Sequence, residues 1–141
     1  MIKPNGVQNA LSGKILSRYE SSGLAIQAIS IKNFTHEEAE GFYAEHKGRE
    51  FYEPLIEFMT SGPTIILVLG GNEAIRVARA INGSTNPEVA EPGTIRFDHA
   101  PNTRLNVVHS SDSVESAERE ISYWFKPEEV LDYKISKHTA V

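Results

Sequence analysis

Residues 106–125 have the sequence NVVHSSDSVESAEREISYWF, in which a histidine directly precedes a helix start rich in serine and aspartate. Asp112 or Ser113 is predicted to cap this helix, because short polar side chains accept hydrogen bonds from the first free N–H groups. Apolar residues then recur at helical spacing: Val114, Ala117, Ile121 and Trp124. His109 therefore lies where backbone N–H groups and the helix dipole favour anions. The stretch by itself leaves two interpretations open, a nucleophile that attacks phosphorus and a loop histidine hydrogen-bonded to the cap.

The segment that precedes this helix, residues 83–106, is dense in Gly, Pro, Asn and Thr and has little periodicity. At most a single helical turn is predicted within it, near residues 87–90. Long loops inside compact domains are usually functional or disordered. The polar residues Thr85, Arg96 and Arg104 favour a functional loop here.

Helical and strand patterns alternate along the rest of the chain. Helices are predicted at about 11–22, 35–46, 51–59 and 74–81, and strands at about 24–31 and 64–69. Thr35 and Glu38 have the spacing of a capping box, which marks the start of the second helix. Interleaved strands and helices with few hairpin signals predict one layered α/β or α+β domain over residues 1–141. The polar tail after Lys126 is predicted to pack extended on the surface.

The composition limits the classes of function. A net charge of −5 and a pI of about 5.5 argue against a dedicated nucleic-acid binder, which needs a basic face to neutralise phosphates. The absence of cysteine excludes disulfides and thiolate metal sites. The longest apolar run, residues 65–69, is far shorter than the roughly 18 residues of a membrane span. The start of the sequence lacks a signal-peptide pattern. We therefore expect a cytoplasmic protein without a membrane partner.

Generic phosphate and metal motifs are missing, but longer stretches resemble the nucleoside diphosphate kinase family. The sequence has no GxxxxGK[ST] loop, no GxGxxG and no HExxH helix. Residues 106–113, NVVHSSDS, resemble the family's active-site signature N-x-x-H-[GA]-S-D-S. Three further stretches are similar to its other blocks: IKPNGV (2–7), GFYAEHKGREFYEPLIEFMTSGP (41–63), and TNP with PGTIR (85–96). The resemblance covers essentially the whole chain in the family's order and spacing.

The resemblance implies a catalytic role for five matching residues. His109 would take the γ-phosphoryl group on its ring Nδ1, and Glu120 would hold the other ring nitrogen. Ser111 would orient this pair, and Tyr43 would lie near the transferred group. Lys3 would belong to this catalytic set and would also hydrogen-bond the ribose hydroxyls. A carboxylate behind a histidine fixes its tautomer and supports positive charge on the phosphorylated ring.

The resemblance also implies a nucleotide-binding set. Its members bind the ribose (Lys3, Asn106), the phosphates (Arg79, Thr85, Arg96) and the base (Phe51, Leu55). Arginine suits phosphate because its fixed donors match phosphate oxygens in pairs. Without the resemblance, Arg79 would be assigned as a surface arginine, Phe51 as a core side chain and Glu120 as a solvated charge.

The fold implied by the resemblance is α+β and ferredoxin-like, an antiparallel four-stranded sheet covered by helices, with the 83–106 loop closing the nucleotide site. The implied reaction is ping-pong transfer between nucleoside tri- and diphosphates of any base and either sugar. Mg²⁺ would be carried by the nucleotide phosphates and would need no protein metal site. The tail 126–141 resembles that of hexameric members, so a homohexamer is expected, with a tetramer as the alternative.

Two residues and the start of the sequence depart from the family pattern. Ser110 replaces Gly or Ala and is expected to change the backbone after His109. Thr103 replaces an apolar residue and is expected to weaken one side of the base pocket. The family has several residues before its IKP that form most of the first strand, whereas only Met1 and Ile2 precede Lys3. The sheet is therefore expected to lack most of a central strand.

Two alternative functions share the same residues. An inactive or weakly active family member would serve as a regulatory or binding subunit, although every catalytic position is present. A donor of phosphoryl groups to other proteins would also use His109, and the sequence does not separate it from a nucleotide enzyme.

Overall fold

Two antiparallel strands, β1 (Ala25–Lys32) and β2 (Thr64–Gly70), form the sheet of this protein. The computed structural model describes residues 1–136. Both strands are rich in β-branched and aliphatic residues, which fit a pleated, half-buried surface. Both predicted strands are confirmed, each to within one residue of its expected bounds.

Helices cover both faces of the sheet. The α-helices are α1 (Pro4–Gln8), α2 (Ser12–Ser21), α3 (His36–Phe42), α4 (Tyr52–Met59), α5 (Ala74–Asn82), α6 (Ile95–His99) and α7 (Val114–Trp124). Short 3-10 helices lie at Ala44–His46, Pro87–Val89 and Pro127–Glu129. None of the helices within residues 1–136 has the length and apolarity needed to cross a membrane.

Ile2 extends the sheet beyond β2. It forms an isolated antiparallel bridge to Ile65 on one side and to Val108 on the other. Its N–H donates to the Ile65 carbonyl at 2.8 Å, and the Ile65 N–H donates back at 3.0 Å. A strand requires consecutive pairs, and Ile2 supplies one pair on each side. Residues 1–136 therefore contain a two-stranded sheet rather than the four strands that the resemblance implies.

The core consists of two apolar clusters on opposite faces of β2. Neighbouring strand residues point to opposite faces. Ile65 accordingly packs with Ile15 of α2, and Ile66 packs with Met59 of α4. Ile15 and Met59 are fully buried, and burial of each side chain contributes roughly 1.5–3 kcal/mol. The sheet is thus held between helices on both sides.

The capping box predicted at Thr35 is confirmed, but the helix that it starts is shorter than expected. Thr35 Oγ1 accepts from the Glu38 N–H at 3.0 Å, and the Glu38 carboxylate accepts from the Thr35 N–H at 3.0 Å. α3 ends at Phe42, because Tyr43 has a ψ of 23° that departs from the helix. The predicted segment up to His46 continues as a 3-10 helix.

Two short helices, α1 and α6, were not predicted. α6 lies inside the 83–106 segment, where the sequence indicates at most one turn near residues 87–90. Five residues are too few to show helical periodicity. Thr94 starts this helix, since its Oγ1 accepts from the Phe97 N–H at 3.3 Å.

The tail lies on the surface, as predicted, but it begins with the 3-10 helix Pro127–Glu129 rather than in an extended conformation and then contacts β1. The Leu131 N–H donates to the Gln27 carbonyl at 2.9 Å. The Tyr133 hydroxyl donates to the Ile26 carbonyl at 2.5 Å. The predicted tail continues to residue 141, and residues 137–141 lie outside the described part of the chain.

Replacement of Gly83 tests how the long loop is anchored. Gly83 ends α5 with a φ of +85°, and a Cβ there would lie 2.4 Å from Thr94 Oγ1. Gly83→Ala is expected to lower the free energy of unfolding by about 1–3 kcal/mol, because it adds backbone strain and a clash. Gly13→Ala in α2 is the matched control, since its Cβ would meet nothing within 4 Å. Equal stabilities of the two variants in urea denaturation would contradict this account.

Candidate active site

His109 is held between the bridged segment and the start of α7. Its N–H donates to the Met1 carbonyl at 2.9 Å, and its carbonyl accepts from the Met1 nitrogen at 2.8 Å. Ser113, rather than Asp112, caps α7, and its Oγ accepts from the Ser116 N–H at 3.1 Å. The histidine is therefore fixed by backbone bonds on one side and by a capped helix start on the other.

His109, Glu120 and Ser111 form one hydrogen-bonded group. The His109 Nε2 lies 2.5 Å from Glu120 Oε1, and Ser111 Oγ donates to the same oxygen at 3.2 Å. Glu120 lies two turns into α7, which directs its carboxylate back toward the helix start. Within residues 1–136, no hydrogen bond engages the His109 Nδ1. The group leaves that nitrogen available for chemistry.

Burial and charge keep the histidine neutral and the carboxylate ionised. Burial lowers the pKa of His109, and the nearby Met1 nitrogen and Lys3 lower it further against the opposing effect of Glu120. Burial tends to raise the pKa of Glu120, but the hydrogen bonds from His109 and Ser111 leave that pKa below its ordinary value. A neutral ring next to a carboxylate carries its proton on Nε2. The Nδ1 lone pair is then a free nucleophile.

A row of rings connects His109 with Phe51. The Tyr43 ring lies edge-on to His109 at 6.4 Å, His46 lies 6.2 Å from Tyr43, and Phe51 lies 5.3 Å from His46. Tyr43 is buried, and its hydroxyl has no hydrogen-bond partner among the described residues. Burial and the charge of Glu120 raise the pKa of Tyr43. Its hydroxyl therefore stays protonated and can donate to a ligand.

Phe51 and Leu55 lie at the start of α4. Phe51 is 45% exposed, and Leu55 packs partly against the apolar cluster that contains Met59 and Ile66. An exposed aromatic ring offers a face for stacking. His46, which the sequence pattern did not single out, stands between this ring and Tyr43, and only its aromatic-rich neighbourhood could have indicated it.

Lys3 and Asn106 are paired in the interior. Lys3 Nζ donates to Asn106 Oδ1 at 2.8 Å, and both residues are buried. Burial, together with the charge of Arg96, lowers the pKa of Lys3 to about 7. This ammonium lacks a carboxylate partner within residues 1–136. A negatively charged ligand would restore its ordinary pKa.

Arg96 is a buried cation held by main-chain carbonyls. Its nitrogens donate to Gly83 at 2.7 Å, Val108 at 2.7 Å and Asn106 at 3.3 Å. Burial lowers the pKa of the guanidinium, and the nearby Arg79 contributes in the same direction. Three of its five N–H groups are engaged, so two remain for a ligand.

A cleft of about 480 Å³ brings the predicted phosphate residues together. Arg79, Thr85 and Arg96 line it, together with Thr94 and Ser110. Arg79 and Thr85 are exposed to solvent, whereas Arg96 forms the floor. Ser110 also lines a second cavity, which His109 lines as well, so the two cavities adjoin at Ser110. The residues that could bind an anion thus lie next to the nucleophile.

The geometry combines an anion-binding cleft, a neutral histidine with a free Nδ1, and an exposed aromatic ring. A sequence model of the family described as nucleoside diphosphate kinase matches residues 1–130. The chain belongs to the nucleoside diphosphate kinase family.

The chain is similar over most of its length to known nucleoside diphosphate kinases. The chain is 51% identical to a nucleoside diphosphate kinase of Listeria monocytogenes over 134 residues, 95% of this chain and 91% of the relative. It superposes on the Aquifex aeolicus enzyme with a TM-score of 0.88 at 40% identity, covering 92% of this chain and 94% of the other. It also superposes on a halophilic enzyme of Halobacterium salinarum, solved in complex with CDP, with a TM-score of 0.90 at 37% identity over 94% and 88%.

The described part of this nucleoside diphosphate kinase family member shows no built metal site. Among residues 1–136, no three His, Asp or Glu side chains cluster closely enough to hold an ion. The candidate site instead offers cations, which suit the phosphates of a nucleotide.

Nitrogen chemical shifts will show the protonation state of His109. We expect a neutral ring at pH 7 with the proton on Nε2, because burial lowers the pKa and Glu120 accepts from that nitrogen. Glu120→Ala should abolish the tautomer preference while the other histidines keep their spectra. A proton on Nδ1, or an imidazolium at pH 7, would refute the assignment.

Proposed function

We infer that the chain is a nucleoside diphosphate kinase that transfers the γ-phosphoryl group of a nucleoside triphosphate to a nucleoside diphosphate. The transfer proceeds by a ping-pong mechanism through a phosphohistidine at Nδ1 of His109. The observation that carries this assignment is the 2.5 Å contact between Nε2 and Glu120, which leaves Nδ1 as the free ring nitrogen.

In the first half-reaction, the Nδ1 lone pair attacks the γ-phosphorus. An N–P bond forms, the bond from phosphorus to the β-phosphate oxygen breaks, and the nucleoside diphosphate leaves with that electron pair. The Nε2 proton stays on the ring, which becomes cationic and is stabilised by Glu120. The second half-reaction reverses these steps with another diphosphate, so the enzyme returns to its starting state.

The remaining residues position the nucleotide. We assign Arg79, Thr85 and the two free N–H groups of Arg96 to the phosphates, supported by their shared cleft. Phosphoryl transfer depends mainly on positioning and on stabilising charge on the transferred group. The buried Tyr43 hydroxyl is assigned to the transferred phosphate, and Mg²⁺ enters with the nucleotide.

Sugar and base are held without strong selection. We assign Lys3 and Asn106 to the ribose hydroxyls, and Phe51 with Leu55 to the base. Every base has a face that stacks on an aromatic ring, so stacking discriminates little between bases. Thr103 is exposed, and its short hydroxyl can both donate and accept. Broad specificity for base and sugar is therefore expected.

We also propose that this single domain acts in the cytoplasm. Cell fractionation would test this location.

Loss of His109 tests the covalent mechanism. His109→Ala is expected to abolish both the steady-state transfer and the acid-labile phosphoenzyme formed with γ-labelled triphosphate. Turnover within tenfold of wild type would overturn the mechanism, since tenfold corresponds to only about 1.4 kcal/mol of barrier. A wild-type phosphoenzyme that no diphosphate discharges would favour the regulatory subunit or the protein phosphodonor instead.

Two arginines of α5 form a matched pair for testing phosphate binding. Arg79 lines the cleft, whereas Arg76 is exposed and paired with Glu73 at 3.0 Å. Arg79→Ala is expected to weaken triphosphate binding at least tenfold and nucleoside binding less than twofold, because only the former carries the charge that it contacts. Arg76→Ala should change neither. Equal losses for both ligands in Arg79→Ala, measured by calorimetry, would make Arg79 a structural residue.

We also propose a ferredoxin-like fold and a homohexamer, with a tetramer as the alternative. The order β1, β2, Ile2 and Val108 supports the fold, because each neighbour is bridged antiparallel to the next. Self-association is supported by two large apolar side chains of β1, Ile29 and Ile31, which are 51% and 60% exposed. Apolar patches on an exposed strand are typical of interaction sites.

A charge placed on β1 tests this assembly. Ile31→Lys is expected to lower the molar mass measured by light scattering, because a cation would be buried in the interface. Val114→Lys is the matched control, since Val114 is 65% exposed and lies on α7 away from β1. An unchanged mass for Ile31→Lys would exclude β1 from the interface.

A further inference from the structure

The guanidinium of Arg119 lies between two carboxylates that come from different parts of the chain. Its Nη2 donates to Glu45 Oε1 at 3.4 Å and lies 3.9 Å from Glu120 Oε2. Glu45 belongs to the 3-10 helix Ala44–His46, whereas Glu120 is the carboxylate that holds His109. Arg119 thus joins the catalytic pair to a segment 74 positions away.

The helix that carries Arg119 does not by itself favour this arrangement. Neighbouring residues of an α-helix point about 100° apart, so Arg119 and Glu120 do not face each other by spacing alone. Glu115 lies one turn before Arg119, at the spacing of an ordinary helical ion pair. Within residues 1–136, Arg119 forms ion pairs with Glu45 and Glu120 and none with Glu115. Glu45 therefore draws the guanidinium to the side of α7 that carries Glu120.

The two oxygens of Glu120 have different surroundings. The hydrogen bonds of His109 and Ser111 both end on Oε1, and Arg119 is the ionic neighbour of Oε2. The terminal torsion of a glutamate side chain is broad, so bonds to one oxygen alone leave much of its rotation open. An attraction at Oε2 restricts that rotation and keeps Oε1 against the histidine ring.

We propose that Arg119 is a positioning residue of the transfer reaction, which holds the Glu120 carboxylate so that Oε1 stays at the His109 Nε2, and that Glu45 keeps the guanidinium in place. Glu45 also offsets the charge of Arg119, which would otherwise repel the cationic ring. The effect on turnover rests on the proposed function, whereas the orientation of Glu120 does not.

The step that this positioning assists is the formation of the phosphohistidine. The N–P bond forms at Nδ1 of His109, the bond from phosphorus to the β-phosphate oxygen breaks, and the diphosphate leaves with that electron pair. The Nε2 proton remains on the ring, which becomes cationic. A carboxylate that is turned away from Nε2 stabilises this ring less, so the chemical step slows while nucleotide binding is unchanged.

Single-turnover phosphorylation at saturating triphosphate isolates the chemical step. Arg119→Gln is expected to slow phosphoenzyme formation at least fivefold. The triphosphate concentration for half-maximal rate should change less than twofold, because Arg119 does not line the phosphate cleft. Arg119→Lys keeps a cation and is expected to stay within twofold of wild type. Arg76→Gln is the matched control, since Arg76 pairs with Glu73 on the surface, and it should change neither quantity. A wild-type rate for Arg119→Gln would overturn the proposal.

A double-mutant cycle shows whether Arg119 acts through Glu120. Glu120→Gln removes the charge that attracts the guanidinium, so Arg119→Gln in that background is expected to slow phosphorylation less than twofold further. Glu45→Gln alone is expected to slow it at least threefold, with no further effect once Arg119 is replaced. Equal losses from Arg119→Gln in both backgrounds would show that its charge acts elsewhere, and would contradict the proposed role.

Proton NMR of the His109 ring separates this proposal from the proposed function. In the wild type the Nε2 proton is bonded to Glu120 and is expected to exchange slowly with water. Arg119→Gln should accelerate that exchange at least fivefold, whereas Arg119→Lys and Arg76→Gln should leave it within twofold. Surface ion pairs contribute little to stability, so the variants are expected to melt at the same temperature as the wild type. Unchanged exchange in Arg119→Gln would refute the positioning role. Faster exchange in a protein that forms no phosphoenzyme would retain that role and refute the proposed function instead.

Discussion

The guanidinium of Arg96 organises the site, because its three hydrogen bonds join segments that are distant along the chain. It ties the end of α5 at Gly83 to the main chain around Asn106 and Val108, just before His109. Within residues 1–136, no carboxylate pairs with it. A buried charge is costly unless it is compensated. Carbonyl dipoles supply part of that compensation, and an anion in the cleft would supply the rest.

The same positive charges favour the neutral, nucleophilic form of His109. Lys3 and the Met1 nitrogen add to burial in lowering the pKa of His109, so the ring enters the reaction neutral. Attack on phosphorus then creates a positive ring near Lys3, and repulsion from the Lys3 ammonium would by itself oppose the step. Glu120 at 2.5 Å offsets this repulsion. Arg96 and Lys3 would attract the phosphates, and the Glu120 carboxylate would stabilise the cationic phosphohistidine. This local positive charge lies within a chain whose net charge is −5.

Local patterns were sufficient for both strands and the longer helices, and the resemblance was needed for the site. Strand runs such as 64–69 and the capping box at Thr35 are short-range signals, and the structure has both. α6 is too short for periodicity, and its start depends on a single hydroxyl, that of Thr94. The Lys3–Asn106 pair spans 103 positions, and no spacing rule links such distant residues. Burial of Arg96 is likewise a consequence of packing, which a pattern of residue types does not encode.

The main chain before His109 contains strain that the surrounding contacts must hold. Val107 has a φ of +73°, a region that a β-branched residue rarely occupies, and it is buried. Such a conformation costs of the order of 1–3 kcal/mol. Lys3 binds the Val107 carbonyl through its N–H at 2.7 Å, and the Val108 N–H returns to Asn106 at 2.8 Å. Because Arg96 holds the carbonyls on both sides of Val107, the strained turn and the guanidinium determine each other's position. The placement of His109 relative to the cleft therefore depends on this packing as well as on the histidine's own contacts with Met1 and Glu120.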